Sequence, residues 1–234
     1  DLDGNSAPAT TTAAFTVDTL APNGSAATGS SIVNVVNNTV SITTIFDKTM
    51  ASTTLAVSFD SGVTNVSGDF TPASASWTNA TTYLAIYTAA ASIYQTNIIA
   101  SVSGATDTNG NAAATSTTAA FTLDTVIPTG TVSTPTSSTV VNVANDTVTI
   151  IVNFSKQMAS TTLATAFQNA TSSTDISSSF TSLSTLWSNA SSTYTAIYQA
   201  PQGMNEPSVI ALISGGLDLD GNSAPATTTA AFTV

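Results

Sequence analysis

The chain of 234 residues has no cysteine, no histidine and no arginine, and its only basic side chains are Lys48 and Lys156. Each absence removes a class of function. Without Cys or His there is no zinc site of the usual kind, no thiol chemistry and no histidine-based catalytic triad. Two ammonium groups cannot neutralise a phosphate track, which excludes nucleic acid as a partner and, by the same physics, anionic membrane surfaces. No apolar run approaches the roughly 18 residues of a membrane span. Oxygen-only sites for hard cations survive this screen. The missing cysteines leave the redox compartment open. With so few basic residues, trypsin has almost nothing to cut, which suits an exposed scaffold.

Charged residues make up 6% of the chain, against about 25% in ordinary domains. The net charge is −11, so hydroxyls and amides must solvate most of the surface. No charged n-region or cleavage site opens the sequence, which is therefore expected to be an internal piece of something longer.

What the sequence does contain is repetition. Residues 1–17 read DLDGNSAPATTTAAFTV, and residues 218–234 repeat them letter for letter. A diverged copy, DTNGNAAATSTTAAFTL, occupies 107–123. The intervening stretches align too: Phe46–Leu55 with Phe154–Leu163, Trp77–Thr81 with Trp187–Ser191, and Tyr83–Tyr87 with Tyr194–Tyr198. Lys48 and Lys156 fall on one repeat position. Adjacent units have diverged while segments 217 residues apart are identical, so the larger repeat is a pair of units and a parent protein with many such pairs is expected. The resulting division is 1–17, the last strand of a preceding repeat; 18–123, a first domain; and 124–234, a second.

Within each unit the apolar pattern has period two, with turns every 8–12 residues or so. Val40, Ile42, Thr44 and Phe46 alternate with polar neighbours, as do Val148, Ile150, Val152 and Phe154. Tyr83, Ala85 and Tyr87 alternate likewise, then Ile98, Ala100 and Val102, and the tail Thr12–Val17 reads as a last strand. Short helical turns are expected only at Ser52–Leu55 and Ser160–Leu163. The expected class is all-β: tandem immunoglobulin-like β-sandwiches. Trp77 and Trp187 are expected in the core or between sheets, with sugar stacking as the sharper alternative.

The run Phe-x-Lys-x-Met-x-x-x-Thr-Leu, a later Thr-Tyr-x-x-x-Tyr strand, Asp-x-x-Gly-Asn and a final Ala-Phe-Thr together resemble the bacterial SbsA-type Ig-like domain. Phe154-Ser155-Lys156-Gln157-Met158 fits that family's Phe-Ser-x-x-Met form; Asp47 departs from it. The junction Phe15–Pro22 resembles linkers of giant repetitive surface adhesins. The resemblance covers nearly the whole chain, twice in the same order. It implies S-layer proteins, adhesin stalks and other extracellular scaffolds, usually without catalytic activity.

Seven of the thirteen acidic residues sit near unit boundaries: Asp1, Asp3, Asp18, Asp107, Asp124, Asp218 and Asp220. Asp1-Leu2-Asp3-Gly4-Asn5 and its copy Asp218, Asp220, Asn222 place oxygen ligands at alternate positions around a turn-forming Gly. Asp107, Asn109 and Asn111 form a weaker version. Asp18 and Asp124 directly follow the last strand, so folding could bring hinge and loop together around Ca2+. The alternative is turn chemistry alone, with side chains bonding their own backbone. The lysines suit pairing with a local carboxylate or a snorkelling position at a strand end.

There are eight Asn-x-Ser/Thr sequons, of which Asn79 and Asn189 recur at one repeat position and are the expected glycosylation sites. Catalysis would need paired carboxylates in a cleft; Glu206 is the only Glu, and Asp146 and Asp175 have no repeat-equivalent acidic partners. The expected function is a non-catalytic structural segment of a cell-surface or extracellular protein (stalk, filament or lattice), stiffened by Ca2+ at its joints. A carbohydrate-binding module recognising surface glycans is the alternative. The lone strand at 1–17 leaves two routes: the chain is a window cut from a longer tandem array, which the identity with 218–234 favours, or self-association with further copies builds a filament through residues 7–17 lent to a neighbouring sheet.

Overall fold

The computed structural model describes residues 2–133, 140–161 and 163–234. The first unit holds β1 (Gly24–Thr28), β2 (Ile32–Asn34), β3 (Thr39–Phe46), β4 (Ala56–Ser61), β5 (Thr64–Asn65), β6 (Phe70–Asn79), β7 (Thr82–Ala89), β8 (Tyr94–Ser103), β9 (Ser116–Thr117) and β10 (Phe121–Asp124). The second holds β11 (Gly130–Ser133), β12 (Thr147–Phe154), β13 (Ala164–Asn169), β14 (Thr181–Ser188), β15 (Thr193–Gln199), β16 (Val209–Ser214) and β17 (Thr227–Thr228).

One sheet of the first unit runs β1-β3-β7-β6 and the other β2-β10-β8-β4-β5, with β9 beside β8. The second unit repeats this with β11-β12-β15-β14 facing β13-β16-β17. The protein is thus a pair of β-sandwiches. The period-two pattern explains why: Val40, Ile42, Thr44 and Phe46 are all buried on β3, while the residues between them meet solvent to varying degrees. Their equivalents Val148, Ile150 and Val152 are buried on β12. β-Branched side chains suit this half-buried pleat, and full burial of each stabilises by about 1.5–3 kcal/mol.

Each core centres on a stacked aromatic pair between sheets. Phe59 lies 4.1 Å from Phe70 and edge-on to Tyr87 at 5.0 Å. Phe167 repeats the arrangement with Phe180 at 3.9 Å and Tyr198 at 5.0 Å. At the edge of the first unit β10 is antiparallel to β8 but parallel to β2, with Thr122–Asp124 opposite Ile32–Asn34. The second unit keeps this arrangement as single bridges, Val209 to Phe232 and Val140 parallel to Thr233.

Two expectations are corrected. Residues Ser52–Leu55 form no helical turn, nor do the described residues of Ser160–Leu163, Thr162 lying outside them. These segments cross from one sheet to the other, and their Ser and Thr side chains compete with the backbone for hydrogen bonds, which disfavours a helical turn. The Thr53 and Thr161 carbonyls accept hydrogen bonds from the indole Nε1 of Trp77 (2.7 Å) and Trp187 (2.9 Å), not from a helical amide. The short 3-10 turns fall instead at Ser67–Asp69 and Ser177–Ser179.

Thr12–Val17 is also no strand: residues 2–17 contain none, and Phe15 and Val17 are exposed. Its equivalent in the first unit, around Phe121, is a strand because β8 and β2 flank it. Alternation specifies a strand only where a sheet is present to receive it.

Replacing Phe167 by Ala should lower the unfolding free energy of the second sandwich by about 3–5 kcal/mol, the usual cost of emptying an aromatic core position. Calorimetry should show one transition moving and the other staying; equal movement of both would mean the units unfold as one.

Candidate functional site

The acidic loop and the linker do meet, and a lysine lies between them. In the first unit Lys48 Nζ contacts Asp18 Oδ1 (3.0 Å) and Oδ2 (2.8 Å), Asp107 Oδ2 (2.7 Å) and the Leu20 carbonyl (2.6 Å). In the second, Lys156 Nζ contacts Asp124 Oδ2 (2.5 Å), Asp218 Oδ2 (2.5 Å) and the Val126 carbonyl (2.8 Å). Lys48 and Lys156 each stand just past the end of the second strand of the first sheet, at the edge where the incoming linker passes. Each ammonium therefore ties the incoming linker to the loop before the unit's last strand.

That loop is built by its own sequence. Asp107 Oδ1 accepts the amides of Asn109 and Asn111, both at 2.9 Å. Gly110, at φ +89°, closes the turn by donating to the Asp107 carbonyl at 3.1 Å, a conformation that side chains rarely adopt. Asn111 Nδ2 then reaches the Asp18 carbonyl (3.1 Å) and Asp107 Oδ2 (3.0 Å). Asp218, Gly221 and Asn222 repeat every step, with Asn222 Nδ2 on the Asp124 carbonyl at 3.0 Å and Asp218 Oδ2 at 3.1 Å. The turn reading and the ion-pair reading are both visible, in the same atoms.

The linker aspartates differ in burial: the Asp124 side chain is 0% exposed and that of Asp18 is 20% exposed. β10 and the first sandwich cover Asp124, whereas the strandless residues 2–17 precede Asp18. Asp107 and Asp218 are buried in both units.

Electrostatics follow from these contacts. The Lys48 hydrogen bond, then Asn111, hold the Asp107 carboxyl far below the usual carboxylate range, and Lys48 and Asn109 lower Asp18. The Asp107 and Asp18 carboxylates raise the Lys48 pKa in turn. At the second joint, burial opposes charge on both partners, yet hydrogen bonding prevails: Asp218 is lowered and Lys156 raised.

Asp220 is the exception. It replaces Asn109, whose Nδ2 donates to Asp18 Oδ2 at 2.7 Å. A carboxyl can copy that bond to Asp124 only by keeping its proton. Burial, the hydrogen bond to Asp124, and the charges of Asp124 and Asp218 all push its pKa up, with Lys156 acting weakly the other way.

The second joint also connects to the sandwich before it. Asn34 Oδ1 accepts the amides of Val36 and Asn37 in its own loop. Its Nδ2 crosses to the Asp220 carbonyl at 2.7 Å, and Asn222 Oδ1 accepts the Val35 amide at 2.8 Å. The acidic loop of one unit is thus docked on the β2 end of its predecessor. Sequence reasoning missed this contact, though Asn34-Val35 recurs as Asn142-Val143 and could have signalled it.

The remaining expected site residues lie elsewhere. Asp3 and Asn5 are exposed within the strandless segment, and Asp1 lies outside the described residues. Asn79 and Asn189 occupy the equivalent β6–β7 and β14–β15 hairpins, both exposed. Asn79 Oδ1 accepts from the Thr81 amide (2.9 Å) and hydroxyl (3.0 Å), while Asn189 Nδ2 donates to Thr193 Oγ1 at 3.0 Å. The tryptophans are half-buried against the cores: Trp77 sits between Phe46 (5.8 Å) and Tyr83 (5.3 Å), and Trp187 between Phe154 (5.8 Å) and Tyr194 (5.1 Å). Among the described residues no group of three or more carboxylates is arranged to hold a metal ion, and no helix is long and apolar enough to cross a membrane.

No protein-family model and no curated protein matches the chain. Among solved structures it is similar to the tetra-tandem repeat in the extending region of a large adhesion protein, at 14% identity and a TM-score of 0.37. The match covers 91% of this chain and 49% of that one, so the chain spans about half its length.

Lys156→Met should lower the stability of the second sandwich by about 2 kcal/mol. That is less than the 3–5 or so of a fully buried pair, because the ammonium is partly solvated; a calorimetric transition that does not move would deny the node a structural role. The pH profile should separate the units. Asp18 and Asp107, depressed on folding, stabilise above the ordinary carboxylate range and lose that contribution as pH falls below about 4. Asp220, raised on folding, acts in reverse, so the second unit should gain stability as pH drops from neutrality toward that range, then lose it. Asp220→Asn should abolish the gain; an unchanged melting profile would refute the assignment.

Proposed function

We propose that the chain is a non-catalytic spacer segment of a cell-surface or extracellular protein, a string of sandwiches whose joints are held straight by lysine–aspartate nodes. The supporting observation is that each lysine ties its linker carboxylate to the unit's closing loop in both units, at one repeat position. An ion pair placed in the linker restrains the freedom between units; placed mid-sheet it would only stabilise a fold. The half-buried tryptophans, with their Nε1 groups already bonded, favour the spacer over the glycan-binding alternative. N-glycans at Asn79 and Asn189 belong to the same proposal, since both asparagines stand on exposed hairpins.

Calcium enters as the rival cation. The ion takes six to eight or so oxygens at about 2.3–2.6 Å, whereas the Asp107 oxygens accept from Lys48, Asn109 and Asn111 and the Asp18 oxygens from Lys48, Leu20 and Asn109. An ion would have to displace the ammonium. Strand lending by residues 7–17 faces a similar competitor, because Phe232 already exchanges both backbone hydrogen bonds with Val209.

Small-angle scattering should show one extended shape for the wild-type chain and a broader distribution for Lys156→Met at a temperature where both sandwiches stay folded. Equal distributions would remove the joint from the proposal. Chelator should leave the wild-type melting temperature unchanged; a rise on adding millimolar Ca2+, with heat in a calorimetric titration, would favour the ion instead.

A further inference from the structure

The far end of the second sandwich carries the surface that the first sandwich uses to receive its neighbour. Asn142 Oδ1 accepts the amides of Ala144 (3.0 Å) and Asn145 (3.1 Å), as Asn34 Oδ1 accepts those of Val36 and Asn37. The loop amide and side chain of Asn142 are therefore oriented as at the occupied junction. Val143 stands where Val35 stands, but is 82% exposed against 43% for Val35. Beside it opens a cavity of about 290 Å³, lined by Val141, Val143, Ala200, Pro201, Met204 and Val234. Asn205, in the position of Tyr94 at the occupied junction, is on its rim.

The complementary surface is on the same chain. The loop Asp107–Asn111 has the fold of Asp218–Asn222, with the Asn109 carbonyl in the place of the Asp220 carbonyl and Asn111 in the place of Asn222. Asn111 Nδ2 is already used on the linker carbonyl and Asp107, which presents Oδ1 outward as in Asn222.

We propose that the Asn142–Val143 end of the second sandwich is a socket for the Asp107–Asn111 loop of another copy of this chain's first sandwich. Asn142 Nδ2 would donate to the Asn109 carbonyl and the Val143 amide to Asn111 Oδ1, copying the two bonds at the internal junction. The contact is heterologous and does not close on itself, so it extends the string by one chain, two sandwiches, at a time. It rests on the reading of the chain as part of an array. Two hydrogen bonds and one apolar cavity make a weak interface between separate molecules, so the contact must be trapped to be seen.

The chain has no cysteine, which makes thiol crosslinking clean. Val143→Cys and Asn109→Cys single variants, mixed with a short bis-maleimide, should give crosslinked heterodimer at least about ten-fold faster than Val143→Cys mixed with Val63→Cys, through local concentration at the interface. Val63 is fully exposed on the β4–β5 turn and serves as the control. Excess cysteine-free chain should slow the first reaction and leave the second unaffected. Equal rates, or no competition, would overturn the socket. The double variant Val35→Cys/Asp220→Cys tests the internal junction separately: fast intrachain crosslinking there with none between copies would discard this inference and leave the array reading intact.

Discussion

An ammonium group between two carboxylates, one from the linker and one from the closing loop, is the interaction on which the arrangement of this chain depends. Removing charge from water costs several kcal/mol per ion unless it is paired, and Asp107 and Asp218 are buried. Their loops therefore need a cation, and one lysine per unit supplies it. Because each loop aspartate also caps its own turn through Oδ1, the ion pair cannot be lost without loosening the Gly-Asn turn. That turn in turn holds the linker carbonyl and, at the second joint, the preceding sandwich. Local turn chemistry, charge pairing and domain docking are three uses of the same few atoms.

The two joints are variations on one plan. Where the first has Asn109, an amide that donates without titrating, the second has Asp220, a carboxyl whose pKa burial and Asp124 push up. The substitution puts a titratable group at a position that carries none in the first joint. The repeat itself supplies the comparison: one domain is the control for the other.

Much of the fold was legible because period-two alternation is a direct statement about sheet faces. Every inward residue read from the Val40–Phe46 and Ile98–Val102 stretches is buried. The errors came where local pattern needs a partner to be realised. Thr12–Val17 carries the same alternation as Thr118–Leu123 yet makes no strand, since strand formation is decided by the neighbour. Ser52–Leu55 is the best candidate for a short helical turn in a chain with little helix, but the segment serves as a crossover between sheets, where the Thr53 carbonyl accepts from the Trp77 indole. At the site, the sequence pointed to carboxylates at hinge and loop, with Ca2+ and turn chemistry as alternatives and the lysines suited to a local carboxylate. The two lysines at one repeat position were the signal for the ammonium. The docking of Asn34 and Val35 on the acidic loop was missed because neither residue type marks an interface by itself; only their recurrence as Asn142-Val143 carried a signal.

The parallel pairing of β2 with β10 governs how a sandwich responds to being pulled. β10 runs straight into the linker, so tension leaving the unit there acts along the strand, and its hydrogen bonds to Ile32–Asn34 are loaded side by side, in shear, instead of opening one after another. At the other end, tension arriving at Asp18 passes through Lys48 into the buried Asp107 before it reaches β1. Such a unit would yield abruptly at a threshold force and keep its length until then, the behaviour of a tether and not of a spring.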